Sequence, residues 1–159
     1  MSEYGPGQGP GARPLTEDEL LEILGKQPFG VLATLKRDGR PHLASMVVNW
    51  NAGERVVRIS SAEGRVKVGH LRHDPRATVH LQGDSVLSYA VAEGEAEVSE
   101  VTTVPGDATG RELLEMSGGF ADPADEAAFL EEMVRGRRLV IRLKVSRMYG
   151  VALDLAPEG

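Results

Sequence analysis

Between Phe29 and Ser61 three strand-like runs follow one another through turns too short for anything but antiparallel neighbours. Phe29, Val31, Ala33 and Leu35 alternate with Gly30, Leu32, Thr34 and Lys36, so both faces of the first run are largely apolar and it belongs in the middle of a sheet. Arg37-Asp38-Gly39-Arg40 is a hairpin signal, because Asp-Gly tolerates the positive φ that tight hairpin turns need. The return run spans Pro41 to Trp50, and Asn51-Ala52-Gly53 turns the chain again into Glu54–Ser61. A meander of this kind commits the chain to an antiparallel, mainly β architecture.

The flanking segments extend the same plan. Residues 1–13 are rich in Gly and Pro with almost nothing to bury, which predicts a flexible tail. Thr16 with Glu19 three residues on forms a capping box for a helix whose apolar face is Leu20, Leu21, Ile23 and Leu24, ended at latest by Pro28. After residue 76, Arg76–Gln82 reads as a strand. Val86–Val98 alternates more clearly than any other stretch, with Glu93, Glu95 and Glu97 facing one way and Ala92, Gly94, Ala96 and Val98 the other. The small residues on that second face leave room for tight curvature or for close approach by something else. A loop and a helix around Arg111–Met116 follow, then a helix capped by Asp122 with Pro123 at its first position and stopped by Gly136. Arg137–Tyr149 closes the domain as a long strand. The tally is six or seven strands and three or four short helices. Closing such a sheet into a small barrel removes its exposed edges. One domain over residues 14–154 is expected, with 155–159 as a C-terminal tail.

Composition narrows the function. The 159 residues include no cysteine, which excludes thiolate nucleophiles, disulfides and cysteine-based zinc sites and fits a cytoplasmic protein. No apolar run approaches a membrane span, and the N-terminus lacks the features of a signal peptide. A formal net charge of -6 argues against general nucleic-acid binding, which needs a broad basic surface. Against that acidic background, Ser60–Arg76 (S-S-A-E-G-R-V-K-V-G-H-L-R-H-D-P-R) carries Arg65, Lys67, Arg72 and Arg76 on and beside a short helix that leaves a strand through a polar turn. Free N–H groups at a helix start together with cationic side chains make a phosphate site. The same charges would equally serve a solvated surface helix.

Other chemistries find little support. There is no G-x-S-x-G and no Rossmann or Walker fingerprint. His70 and His73 lie three apart, with His80 within reach, but no H-E-x-x-H motif or strong carboxylate partner accompanies them. Satisfied or solvent-facing histidines are therefore the simpler reading, and no metal site is expected.

Three segments carry a specific resemblance: V-L-A-T-L-K-R-D-G-R-P-H at 31–42, S-A-E-G-R-V-K-V-G-H-L-R-H-D-P-R-A-T at 61–78, and S-Y-A-V-A-E-G-E-A at 88–96. With the closing R-M-Y-G, they resemble the pyridoxamine-phosphate-oxidase-like split β-barrel superfamily, and most closely its actinobacterial branch of F420-dependent oxidoreductases. The match covers most of residues 16–150, and R-x-K followed by L-R-x-D-P-R is its most specific element. The resemblance implies a split β-barrel (FMN-binding-like) with short peripheral helices, a homodimer with its cofactor in a groove between subunits, and hydride transfer to a small conjugated or unsaturated substrate.

By the same resemblance Arg65 and Lys67 hold the cofactor phosphate, Ser60 and Ser61 add hydrogen bonds, and Met46, Val47 and Asn49 lie along the ring system. The residue pattern alone allows Met46 and Val47 as plain core residues just as well. Lys36, Arg37, Arg40 and Arg72 are positioned to meet the longer anionic tail of coenzyme F420, which favours it over FMN, the alternative cofactor. The C-terminal tryptophan–arginine signature of the phosphate oxidase proper is missing, which argues against vitamin B6 oxidation. A non-catalytic protein that sequesters F420 or a tetrapyrrole is a further alternative. No residue stands out as a general acid; Tyr89, His42 and Asn49 are the possibilities, and positioning is expected to do most of the catalytic work.

Overall fold

The computed structural model describes residues 4–153, so the expected tail at 155–159 lies outside the described residues. Eight strands form one antiparallel sheet: β1 (Ala12–Pro14), β2 (Phe29–Leu35), β3 (Pro41–Val47), β4 (Asn49–Asn51), β5 (Val56–Ala62), β6 (Arg76–Gln82), β7 (Tyr89–Val98) and β8 (Arg138–Leu153). The pairing order is β3-β2-β6-β7-β8-β5-β4, with β1 on β8. The path begins on β3 and ends on β4, and a single residue, Val48, joins those two strands in the chain. Its N–H donates to the Pro28 carbonyl at 2.8 Å. The sheet must therefore curl until its first and last strands nearly meet, which gives the split-barrel form expected from the short turns. Four helices sit around it: α1 (Glu17–Lys26), α2 (Val66–His73), α3 (Ala108–Ser117) and α4 (Pro123–Arg135). None of the described helices is long and apolar enough to cross a membrane.

Several boundaries differ from expectation for local reasons. Ala12–Pro14 pairs with Val151–Leu153, so strand pairing begins inside the segment expected as a tail. The run expected from Pro41 to Trp50 breaks at Val48, where the chain changes strand partners. Residues 86–88 are a turn rather than strand, and β7 starts at Tyr89. Helix α3 begins earlier than expected, because the Asp107 carboxylate accepts from the Gly110 N–H and caps it.

The interior is aliphatic, as the scarcity of aromatics demands. Leu32, Val57, Ile59, Val79, Leu81, Leu139, Ile141 and Leu143 are essentially inaccessible, and Leu24 of α1 with Val68 and Leu71 of α2 pack onto the same cluster. Each such side chain contributes about 2 kcal/mol of burial free energy. α1 is anchored as its sequence predicts. The Thr16 hydroxyl accepts from the Glu19 N–H at 3.3 Å and Glu19 Oε1 accepts from the Thr16 N–H at 3.0 Å.

The curvature has a definable origin. Glu93 pairs with Arg147 but Gly94 pairs with Val145, so Ser146 is an extra residue in β8. Such a bulge bends the strand and shifts its side-chain alternation. The inward positions change from odd (Leu139, Ile141, Leu143) to even (Met148, Gly150, Ala152) across it. Close approach, one of the two uses foreseen for the small residues of β7, is what the bulge requires. A Cβ at position 94 would lie 1.9 Å from the Lys144 carbonyl oxygen. Gly94→Ala is accordingly expected to destabilise the protein by about 3 kcal/mol or more. Gly25→Ala, in open space on α1, should stabilise by roughly 0.5 kcal/mol. Chemical denaturation of the two variants checks the contrast.

Candidate functional site

The polar turn before α2 is short. Gly64 adopts φ +87°, a conformation side chains resist, and returns the chain at once into a helix whose N-cap residue is Arg65. No side chain caps this start, so its first N–H groups are left for another acceptor. Lys67, in the first turn of the helix, is half-buried. A third cation joins them from the far end of the sequence. Arg138 opens β8 opposite Ala62, and donates to Ser60 Oγ from Nη2 at 2.6 Å and from Nε at 3.2 Å.

The electrostatics show how these cations sit. Burial, then the charges of Arg65 and Arg138, hold the Lys67 ammonium below its ordinary value of 10.5. Burial and Arg65 likewise lower the Arg138 guanidinium. Among the described residues no carboxylate pairs with Arg65, Lys67 or Arg138. Two other basic groups of the region are committed: Arg72 grips both oxygens of Glu63 at 2.8 and 2.9 Å, and Arg76 pairs with Asp74 at 2.7 Å. Three mutually repelling cations in a chain of net charge -6 form a site that an anion would relieve.

Ser60 and Arg138 also line a cavity of about 490 Å³, within the ordinary range of small-molecule sites. One wall is Ser45–Asn49, where β3 passes into β4. The other is built by α3 and α4 with Leu113, Met116, Phe129 and Met133. Both helices are fixed by aspartate caps. Burial raises the Asp107 carboxyl, but hydrogen bonds from the Thr103 and Gly110 N–H groups, the Thr102 hydroxyl and the Val104 N–H outweigh it and bring it down to about 2. Asp122 accepts from the Ala124 N–H at 2.9 Å. Beyond the cavity α3 is tied to the sheet through Glu112, which accepts from Arg142 Nε at 2.8 Å.

Of the residues expected to form the site, Met46, Val47, Asn49 and Ser60 line the cavity. Arg65 and Lys67 are not among its lining residues, but both are coupled by charge to Arg138, which is. Met46 lines the cavity and also packs on the core. Ser61 faces the other way. Alternation along β5 turns it into the interior with Ile59 and Val57, and its hydroxyl is buried without a partner. A hydroxyl contact from Ser61 to a ligand in this cavity is not available. Arg72, bound to Glu63, is not free for a cofactor tail either.

Arg138, Arg58, Met116, Phe129 and Met133 were not anticipated as cavity residues. Arg138 could have been found from the register of β8 on β5, but that register is a tertiary fact. The histidines form no metal cluster among the described residues. His70 Nδ1 lies 3.0 Å from the Thr34 hydroxyl with its ring edge-on to His42, and His80 stacks on Tyr89.

Residues 16–152 match the pyridoxamine 5′-phosphate oxidase family. Among solved structures, a conserved hypothetical protein of Mycobacterium tuberculosis is 26% identical, with 84% of this chain and 82% of that chain covered at a TM-score of 0.64. An F420 reductase is 24% identical over 80% of this chain and 93% of its own, at a TM-score of 0.54. A heme binding protein of Mycobacterium smegmatis is 20% identical over 89% of this chain and 59% of its own, at 0.58. The last two likenesses are of fold.

The orphaned hydroxyl yields a prediction. Ser61→Ala removes a buried polar atom that has no partner, so stability should hold or rise by up to about 1 kcal/mol. Cofactor affinity should not change. Thermal melting and a binding titration of the same variant check both halves.

Proposed function

This chain belongs to the pyridoxamine 5′-phosphate oxidase family, and we propose that it is an F420-dependent oxidoreductase. Its reaction is hydride transfer between the deazaflavin and a small conjugated or unsaturated organic substrate. The observation that carries the reading is the carboxylate-free cluster of Arg65, Lys67 and Arg138 beside an apolar cavity. A phosphate with a flat ring attached fits that pairing: charge-assisted donors and the Ser60 hydroxyl for the anion, methionine and aliphatic walls for the ring. The cofactor, when bound, supplies the hydride chemistry. The chain's own part is to hold the anion with its cations, to set the ring against Met46 and Val47, and to keep water off with the α3–α4 wall. A cytoplasmic setting agrees with the cysteine-free composition.

FMN is the second reading, and one observation favours it. With Arg72 engaged by Glu63, only Lys36, Arg37 and Arg40 at the β2–β3 turn are left to meet an F420 tail. A non-catalytic carrier would bind the cofactor without turning over quinones, enones or biliverdin.

The reading includes a homodimer. The outward face of β2–β3 is apolar and uncovered in the single chain: Phe29 is 65% exposed and its cross-strand partner Val47 64%, with Leu43 at 64%. Since Val47 also lines the cavity, a second copy on this face would lie beside the site.

Three experiments test the proposal. Fluorescence titration with F420 and FMN should show micromolar or tighter binding of F420 and weaker binding of FMN; the reverse order moves the protein to flavin chemistry. Arg65→Ala with Lys67→Ala should cost about 3 kcal/mol or more, roughly a hundredfold in affinity, with the fold intact. Unchanged affinity would remove the phosphate assignment. Leu43→Asp should turn the dimer into a monomer in light scattering, because a carboxylate would then be buried unpaired at the contact. A monomeric wild type would remove the dimer.

A further inference from the structure

The side chain of Asn49 has one determined orientation, and that orientation selects a ligand feature. Asn49 and Arg58 face each other directly across β4 and β5. Arg58 donates twice to Asn49 Oδ1, from Nη2 at 3.1 Å and from Nε at 3.3 Å. A guanidinium carries donors only, so it accepts the carboxamide oxygen as partner and rejects the NH₂ group. Arg58 is itself held in place. It is 9% exposed, its Nη2 donates to Glu115 Oε1 at 3.3 Å, and its Nη1 lies 4.0 Å from Glu112 Oε1. Glu112 is in turn fixed by Arg142. Asn49 Nδ2 therefore points away from this network, has no acceptor among the described residues, and belongs to a residue that lines the cavity with Met46 and Ser60.

We propose that Arg58 is a positioning residue that sets Asn49 as a hydrogen-bond donor to a carbonyl oxygen of a flat, conjugated ligand in this cavity. The inference rests on reading the cavity as a ligand site, and it adds what the ligand must carry. Glu112 and Glu115 answer the charge on Arg58, so the cavity wall presents a neutral N–H dipole here rather than a cation. A neutral, partly negative carbonyl oxygen matches it, whereas an anion is matched by Arg138 and Ser60. The cavity thus distinguishes two features of one ligand. A carboxamide does not release its proton at ordinary pH, so Asn49 orients and polarises the acceptor instead of acting as the general acid that its place in the sequence allowed.

Lumiflavin, an isoalloxazine with ring carbonyls and no phosphate, isolates this interaction from the cation cluster. It is titrated by fluorescence quenching against the full chain and against Asn49→Asp, Asn49→Ala and Arg58→Lys. Asn49→Asp keeps the oxygen that Arg58 grips and puts an anionic acceptor oxygen where the donor was, while Asn49→Ala removes the donor without adding charge. Affinity should fall about tenfold in Asn49→Asp and in Asn49→Ala, the worth of one hydrogen bond. Melting temperature should hold or rise in Asn49→Asp. If Asn49 served only to hold Arg58, the aspartate would bind lumiflavin as the wild type does. Arg58→Lys, with fewer donors to fix the amide, should fall between. Equal affinity in the wild type and both Asn49 variants overturns the proposal, and so does a wild type that binds no lumiflavin. Failure of F420 and FMN to bind while lumiflavin still does would strike the phosphate assignment and leave this one standing.

Discussion

The crossing of β7 and β8 at Gly94 is the constraint on which the rest of the molecule depends. The Lys144 carbonyl oxygen occupies the space where any side chain at position 94 would begin, and Ser146 is the residue the longer strand must shed to keep pairing on both sides. A sheet bent there brings β3 and β4 to opposite ends of one path yet within one residue of each other. That geometry also sets β5 beside β8, and so Ser60 and Ala62 beside Val140 and Arg138. The cavity lies on the outward face of this pairing, roofed by α3 and α4. Curvature in one strand pair therefore fixes where the polar end of the site lies.

Charge is sorted sharply around that site. Arg58, Arg72, Arg76 and Arg142 each meet a carboxylate, while Arg65, Lys67 and Arg138 meet none among the described residues. Paired surface cations contribute little to stability and are common. Unpaired cations that depress one another cost folding free energy, which makes such a cluster a candidate site for an anion. The network around Glu112 shows the other use of charge. There, ion pairs tie α3 to the sheet and orient a neutral amide, so that ionic contacts support a polar contact made by an uncharged group.

Much of the fold could be read from the chain because its signals are local. The Thr16–Glu19 capping box, the Asp38–Gly39 hairpin, the Asp122–Pro123 helix start and the alternation of β7 each depend on residues within a few positions of one another. Errors cluster where a distant partner decides. Ala12–Pro14 is strand because Val151–Leu153 offers it an edge. Val48 interrupts a strand because the chain changes sheet partners there. Ser60 and Ser61 look alike in sequence, but period-2 alternation sends one to the cavity and the other to the core.

By itself, the sequence determined the mainly antiparallel β class, the helix starts, the R-x-K basic pair at the start of a short helix and the resemblance to a cofactor-binding family. All of these rest on short-range pattern and residue chemistry. Only the tertiary structure decided that Arg138 completes the cation cluster, that Arg72 is committed to Glu63, that α3 and α4 supply Met116, Phe129 and Met133 to the cavity, and that Asn49 presents its NH₂ group. The physical reason is common to all four. Each depends on strand register or helix docking between segments far apart in the chain, and burial and long-range pairing set those once the sheet has closed.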